Sequence, residues 1–89
     1  QEAIEAPRFV PWNYPNSFWP HAYHPGLIQL EGRISREVGR ELSRRGHSVE
    51  YLGDWSASMG AMSAIVVDHQ NGSLCAGADP RRDAYAIGR

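Results

Sequence analysis

Residues Ala64 to Asp83 read AIVVDHQNGSLCAGADPRRD. The stretch joins an apolar run, an Asn71-Gly72 pair, a second apolar run, and two arginines between two aspartates. Asn-Gly between apolar runs is the strongest short-range signal of a β-hairpin. A two-residue turn there would pair Val67 with Ala76 and Ile65 with Ala78. The β-branched Ile65, Val66 and Val67 leave no polar face, and a strand apolar on both sides needs a layer on each. One amphipathic helix cannot supply both. The chain is therefore expected to be α/β (α+β), mostly antiparallel, with one main helix and part of its core missing.

Working outward, the whole chain has 89 residues and a net charge of -1. That suits one domain, residues 1–89, or a fragment of one, with a modest core. It begins at Gln1, and is expected to be a processed or fragmentary product. Interspersed charges give no basic stripe, so no nucleic-acid partner is expected, and no run is long enough to span a membrane. All nine basic residues are arginine, which removes Schiff-base, P-loop and Ser-Lys chemistry. The one cysteine, Cys75, cannot form an internal disulfide and reads as a small buried core thiol.

Along the chain, QEAIEA at residues 1–6 reads as a helix end stopped by Pro7, and Arg8-Phe9-Val10 as a short strand closed by Pro11. Trp12 to Gly26 holds Pro15, Pro20 and Pro25 among five aromatics. Prolines at that spacing exclude helix and central strand. The aromatics predict an ordered loop packed over a core or over another chain; left exposed, they would mark a binding surface. Leu27 to Glu31 reads as a strand. Ser35 is a helix N-cap, Ile34, Val38 and Leu42 form one apolar stripe, and Gly46 is a left-handed cap. Glu37 with Arg40, and Glu41 with Arg44 or Arg45, fall within one turn. His47 to Leu52 alternates as a strand.

His21 and His24 have a metal-pair spacing but no third ligand nearby in sequence, so no metal is expected. Ser56, Ser58 and Ser63 lack a nucleophile elbow. No glycine-rich phosphate cradle is present. Asp79-Pro80-Arg81-Arg82-Asp83 is the constellation with chemical content. Its arginine forks could hold a substrate carboxylate, clamp the chain's own acids and carbonyls, or simply sit on a surface turn.

These residues also resemble a family. Ala3-Ile4-Glu5-Ala6-Pro7-Arg8-Phe9 is similar to the E-A-P-R-F segment of the small subunit of γ-glutamyltransferases. Leu30-Glu31, Arg45-Gly46-His47 and the run Gly77 to Asp83 match further family motifs in order and spacing. Ala84 stands where the family usually has glycine, and the Trp12 to Gly26 loop looks longer and more aromatic than in the best-known members. Those departures admit a cephalosporin-acylase-like amide hydrolase as an alternative parent. The resemblance implies an αββα sandwich of the N-terminal-nucleophile hydrolase type, and no cofactor. A new N-terminal threonine would attack γ-glutamyl amides such as glutathione. That nucleophile and its oxyanion glycines would lie upstream, leaving no catalytic residue in this chain. By the same resemblance Arg8, Asp79, Arg81, Arg82 and Asp83 would be a structural clamp. The implied partners are the large subunit and the upstream small-subunit segment, with self-association of the fragment as a further expectation. The compartment would be periplasmic or secreted for a typical member, and cytoplasmic for a signal-less one. The rival reading is a non-catalytic binding module that uses the loop at 12–26.

Overall fold

A computed structural model describes residues 1–88 and divides them into two compact units, Pro7–Trp55 and a second made of residues 1–6 with residues from Ser56 onward. In the first unit, β1 (Phe9–Pro11), β2 (Leu27–Leu30) and β3 (Ser48–Tyr51) form a sheet in the order β1-β2-β3. Strand β1 runs antiparallel to β2, with Val10 opposite Gln29. It is an edge strand, which is where Pro11 can be tolerated. Strands β2 and β3 are parallel, with Ile28 opposite Val49. A parallel pair needs a long crossover, and helix α2 (Arg36–Arg44) provides it.

Both ends of α2 follow from its sequence. Ser35 Oγ accepts a long 3.5 Å bond from the Val38 N–H. At the other end the Gly46 N–H reaches Ser43 O at 3.0 Å and the His47 N–H reaches Leu42 O at 3.1 Å. That pair of bonds is a Schellman motif, and it requires the left-handed Gly46, whose φ is 99°. Glu41 accepts from Arg44 at 2.7 Å and from Arg45 at 2.8 Å. The sheet's apolar positions alternate: Ile28 and Leu30 are buried, Leu27 and Gln29 half-buried. The apolar stripe of α2 closes over them incompletely. An apolar groove of about 260 Å³ remains, lined by Phe9, Ile28, Leu30, Ile34, Val38 and Leu42.

In the second unit a four-residue helix α1 (Glu2–Glu5) and a single 3-10 turn (Ala57–Met59) accompany the hairpin β4 (Ser63–Asp68) and β5 (Ser73–Ala78). The hairpin forms where Asn71-Gly72 predicts, but its register differs by two residues. Val67 faces Leu74 and Ile65 faces Ala76, so the loop has four residues rather than two. The cause is Asp68. Its Oδ1 accepts from the Gln70 N–H at 2.9 Å and the Asn71 N–H at 3.2 Å, and its Oδ2 from Asn71 Nδ2 at 2.7 Å. The turn thus begins at Asp68, an aspartate organising the backbone that follows it. Because the slip is even, each side chain keeps its face.

One expectation of burial fails, and one is narrowed. Cys75 is exposed, because both faces of the hairpin are largely open in this chain. Ile65 and Leu74 are each 69% exposed, on one face, and Val66 is 65% exposed on the other. Only Gly77, beside Ile4 and Gln1 of the α1 segment, is buried within β5. Of the alternatives for the aromatic loop, packing over its own unit's core is the one not seen: Tyr14, Phe18 and Trp19 are all about four-fifths exposed. It is nonetheless ordered by its own bonds, among them Asn16 N–H to Ala22 O at 2.9 Å and His21 N–H to Phe18 O at 2.7 Å. Trp12 alone is anchored, its indole N–H donating to Gln29 Oε1 at 2.8 Å.

Candidate functional site

The charged run after β5 turns back into its own unit. Asp79 has no exposed surface and Arg81 only 5%. Asp79 Oδ1 accepts the Arg81 backbone N–H at 3.0 Å and one guanidinium N–H at 3.1 Å. Its Oδ2 takes the Met62 N–H at 3.1 Å, which ties the run to the start of the hairpin. The Arg81 fork reaches on to Ile4 O at 3.2 Å and Ala6 O at 2.9 Å. Those carbonyls lie at the end of α1, where a short helix leaves acceptors without partners of its own. One guanidinium therefore serves a carboxylate and two helix-end carbonyls together. A planar fork with fixed donors suits this, whereas a lysine ammonium would not.

Arg82 points away from this cluster. Its Nε and one terminal nitrogen both donate to Ala57 O, at 3.2 and 3.0 Å, from an exposed position. Asp83 is exposed. Arg8 belongs to the other unit. Its N–H donates to Glu31 Oε2 at 2.9 Å, and its carbonyl accepts from the Glu31 N–H at 3.0 Å. Of the five residues picked out in the sequence, the hairpin unit gathers Asp79 and Arg81 into one cluster and carries Arg82 and Asp83 at exposed positions, while Arg8 belongs to the other unit.

Glu31 was missed as a site residue. It is completely buried at the end of β2 and pairs with Arg33 at 3.1 Å. Arg33 also donates to Asp54 O at 2.9 Å and lies 3.6 Å from the centre of the Trp55 ring. The available signal was a carboxylate closing the apolar run LIQL, followed at once by Gly32-Arg33. Gln1 was missed as well: its amide donates to Glu5 Oε1 and to Ala78 O, at 2.7 and 2.8 Å. His21 and His24 engage in local contacts, His21 Nδ1 with Asn16 O at 2.8 Å and the His24 ring edge-on to Trp12. Among the described residues no group of three or more His, Cys, Asp or Glu side chains could hold a metal. No described helix is long and apolar enough to cross a membrane.

The chain as a whole has counterparts in known proteins. The family model for gamma-glutamyltranspeptidase matches residues 1–89. The chain belongs to the γ-glutamyltranspeptidase family. Among curated relatives, the glutathione hydrolase-like YwrD proenzyme of Bacillus subtilis is 40% identical over 88 residues, covering 99% of this chain and 15% of the relative. The oxamate amidohydrolase proenzyme of Klebsiella pneumoniae is 35% identical over 91 residues, again 99% of this chain and 15% of the relative. The solved structure of LmbA2991HD superimposes with a TM-score of 0.89 at 39% identity, over 98% of this chain and 15% of that one. This γ-glutamyltranspeptidase segment thus spans about one-seventh of the length of these relatives. Its fold is that of N-terminal-nucleophile hydrolases of the transpeptidase type, mixed α/β with mostly antiparallel strands and few helices.

Proposed function

We propose that residues 1–89 are the carboxyl-terminal structural segment of a γ-glutamyltransferase-like enzyme. The parent would transfer or hydrolyse γ-glutamyl amides such as glutathione through an N-terminal threonine lying outside this chain. The segment alone has no turnover. The observation that carries this reading is the hairpin, whose β-branched residues are exposed on both faces while the chain spans only 15% of its relatives. Such strands belong inside a larger sandwich, and the remainder of the enzyme, including the large subunit, is the natural cover. The clamp supports the same reading, because the donors of Arg81 are directed at the chain's own groups.

Two measurements test it. The isolated chain should not hydrolyse γ-glutamyl-p-nitroanilide, and clear turnover would sink the proposal. Cys75 should react readily with a thiol reagent in the isolated chain and be protected in the full-length polypeptide. Equal reactivity in both would mean that the hairpin is not interior.

A cephalosporin-acylase-like or other amide hydrolase is the alternative parent, and the oxamate amidohydrolase relative favours keeping it. Turnover of a panel of γ-glutamyl, oxamate and acyl amides by the full-length polypeptide separates the parents. The exposed rings of Tyr14, Phe18, Trp19 and Tyr23 favour a second reading, an interaction module. Replacing Trp12 and Trp19 with alanine discriminates: loss of stability would support packing within the enzyme, and intact folding with lost binding of a separate partner would support the module.

A further inference from the structure

The charged side chains of α2 divide into two sets. Glu41 is occupied by Arg44 and Arg45. Arg36 and Arg40, one turn apart, engage no carboxylate among the described residues. The Arg36 guanidinium lies 3.8 Å from the centre of the Tyr51 ring, and Arg40 makes no ion pair or hydrogen bond among the described residues. Glu37, three residues before Arg40, does not pair with it. Both arginines line an open groove of about 410 Å³, together with Gly39, Ser43, Val49 and Tyr51. Among the described residues no acidic side chain lines it.

The groove is shaped from its floor. A Cβ on Gly39 would come within 2.8 Å of Cε2 of Tyr51, so glycine is what lets the ring lie against the helix. The Tyr51 hydroxyl donates to Ser35 O at 2.8 Å and fixes that ring. The ring in turn carries the Arg36 guanidinium over its face, a cation–π contact. Like charges at this helical spacing repel, and an oxyanion between them removes the repulsion. The volume lies in the range of small-molecule sites, about 300–1,000 Å³.

We propose that this groove binds a small ligand carrying a carboxylate or phosphate. Arg36 and Arg40 hold the oxyanion, the Ser43 hydroxyl adds a donor, and the ligand's apolar body lies on Val49 and Tyr51. The proposal is independent of the transpeptidase reading, and its readout is binding rather than turnover. The test is calorimetric titration with inorganic phosphate and with succinate, near 0.15 M salt. It uses the full chain and any longer polypeptide that carries it. Saturable one-to-one binding of at least one probe is expected, and which probe binds tells a phosphate ligand from a carboxylate one. Arg36→Gln and Arg40→Gln should each weaken binding by about tenfold or more, because each removes a charge-assisted fork. Arg40→Lys should fall between, keeping charge without the fork. Arg44→Gln, on the same helix but outside the groove, should change binding less than about twofold. Two results overturn the proposal. One is that neither probe saturates. The other is that Arg44→Gln costs as much as Arg40→Gln, which would mean diffuse charge rather than a built site. All three positions are exposed, so circular dichroism should show each of the four variants folded.

Discussion

The two units of this chain treat their apolar strand residues differently. In Pro7–Trp55 the strand β2 hides Ile28 and Leu30 under a helix. In the hairpin unit the strands leave Ile65, Val66, Val67 and Leu74 open, while Asp79 and Arg81 are buried, as are Ile4 and Met59. Full burial of one such aliphatic side chain contributes about 1.5–3 kcal/mol. The hairpin forgoes most of that at each position. Its order therefore depends on the backbone ladder and on one charged cluster, where the sheet unit can rely on apolar packing. The difference teaches that one segment can be locally complete in one half and locally incomplete in the other, with a polar clamp standing in for a core.

The clamp offers the strongest way to break that contrast. Arg81→Ala strands a buried Asp79 and two helix-end carbonyls, and loss of one partner of a buried pair costs about 3–5 kcal/mol. Arg82→Ala loses bonds made from an exposed position, and should cost about 1 kcal/mol or less. Urea denaturation, with hydrogen exchange of the β4 and β5 amides as the local probe, separates the two. Equal costs would mean that the cluster does not hold the hairpin unit together. Exchanging the pair in one step, Asp79→Leu with Arg81→Met, should recover part of the loss, since both charges then leave together.

The glycines sharpen the comparison at smaller scale. In the sheet unit, Gly39→Ala gains helix propensity of about 1 kcal/mol. The new Cβ, however, meets the fixed ring of Tyr51 at under 3 Å, and such overpacking costs about 1–3 kcal/mol. A net loss of roughly 1 kcal/mol is expected from these two terms. In the hairpin unit, Gly77→Ala meets only Cδ1 of Ile4 and Oε1 of Gln1, the far ends of flexible side chains. It should cost distinctly less. Thermal melts of both variants decide, and a reversed ranking would show that the α1 segment is the more rigid wall.

Much of this was legible in the sequence, for reasons that are local. Ser35, the Ile34-Val38-Leu42 spacing and Gly46 define α2 because caps and periodicity act within a turn or two. Asn71-Gly72 located the hairpin. The register was not legible, because Asp68 competes for the turn by bonding to Gln70 and Asn71, and a two-residue rule does not weigh side-chain acceptors. The parallel pairing of β2 and β3 was missed too, since it depends on how α2 returns the chain. Cys75 was misjudged, and the aromatic loop was left between a cover in this chain and one outside it, for a different reason. An apolar sequence states that a surface is to be covered, and is silent on whether the cover lies in the same chain. Of the candidate site, the Arg81 clamp was readable as one of three alternatives, whereas Glu31 was passed over because a carboxylate after a strand resembles an ordinary turn residue.

The smallest expected effect compares one carboxylate from each unit. Glu41 is held below the ordinary glutamate range, first by Arg44 and then by Arg45. Asp68 is held below the aspartate range, first by the Asn71 side chain and then by the Asn71 and Gln70 N–H groups. In both, the folded pKa lies under the unfolded value of about 4.3 for Glu and 3.9 for Asp. Each contribution is therefore fully present above those values and fades as pH falls through the folded pKa. Stability should be flat between about pH 5 and 8 on their account and decline below about pH 4. Salt separates the two causes. At about 1 M salt the Debye length shrinks to about 3 Å, so the Glu41 titration midpoint, set by ion pairs, should rise toward its ordinary value. The Asp68 midpoint, set by neutral donors, should stay low. Carboxyl carbon NMR at low and high salt reads both at once. Equal movement of the two would mean that Asp68 is held by charge, and that the loop explanation for the hairpin's register is incomplete.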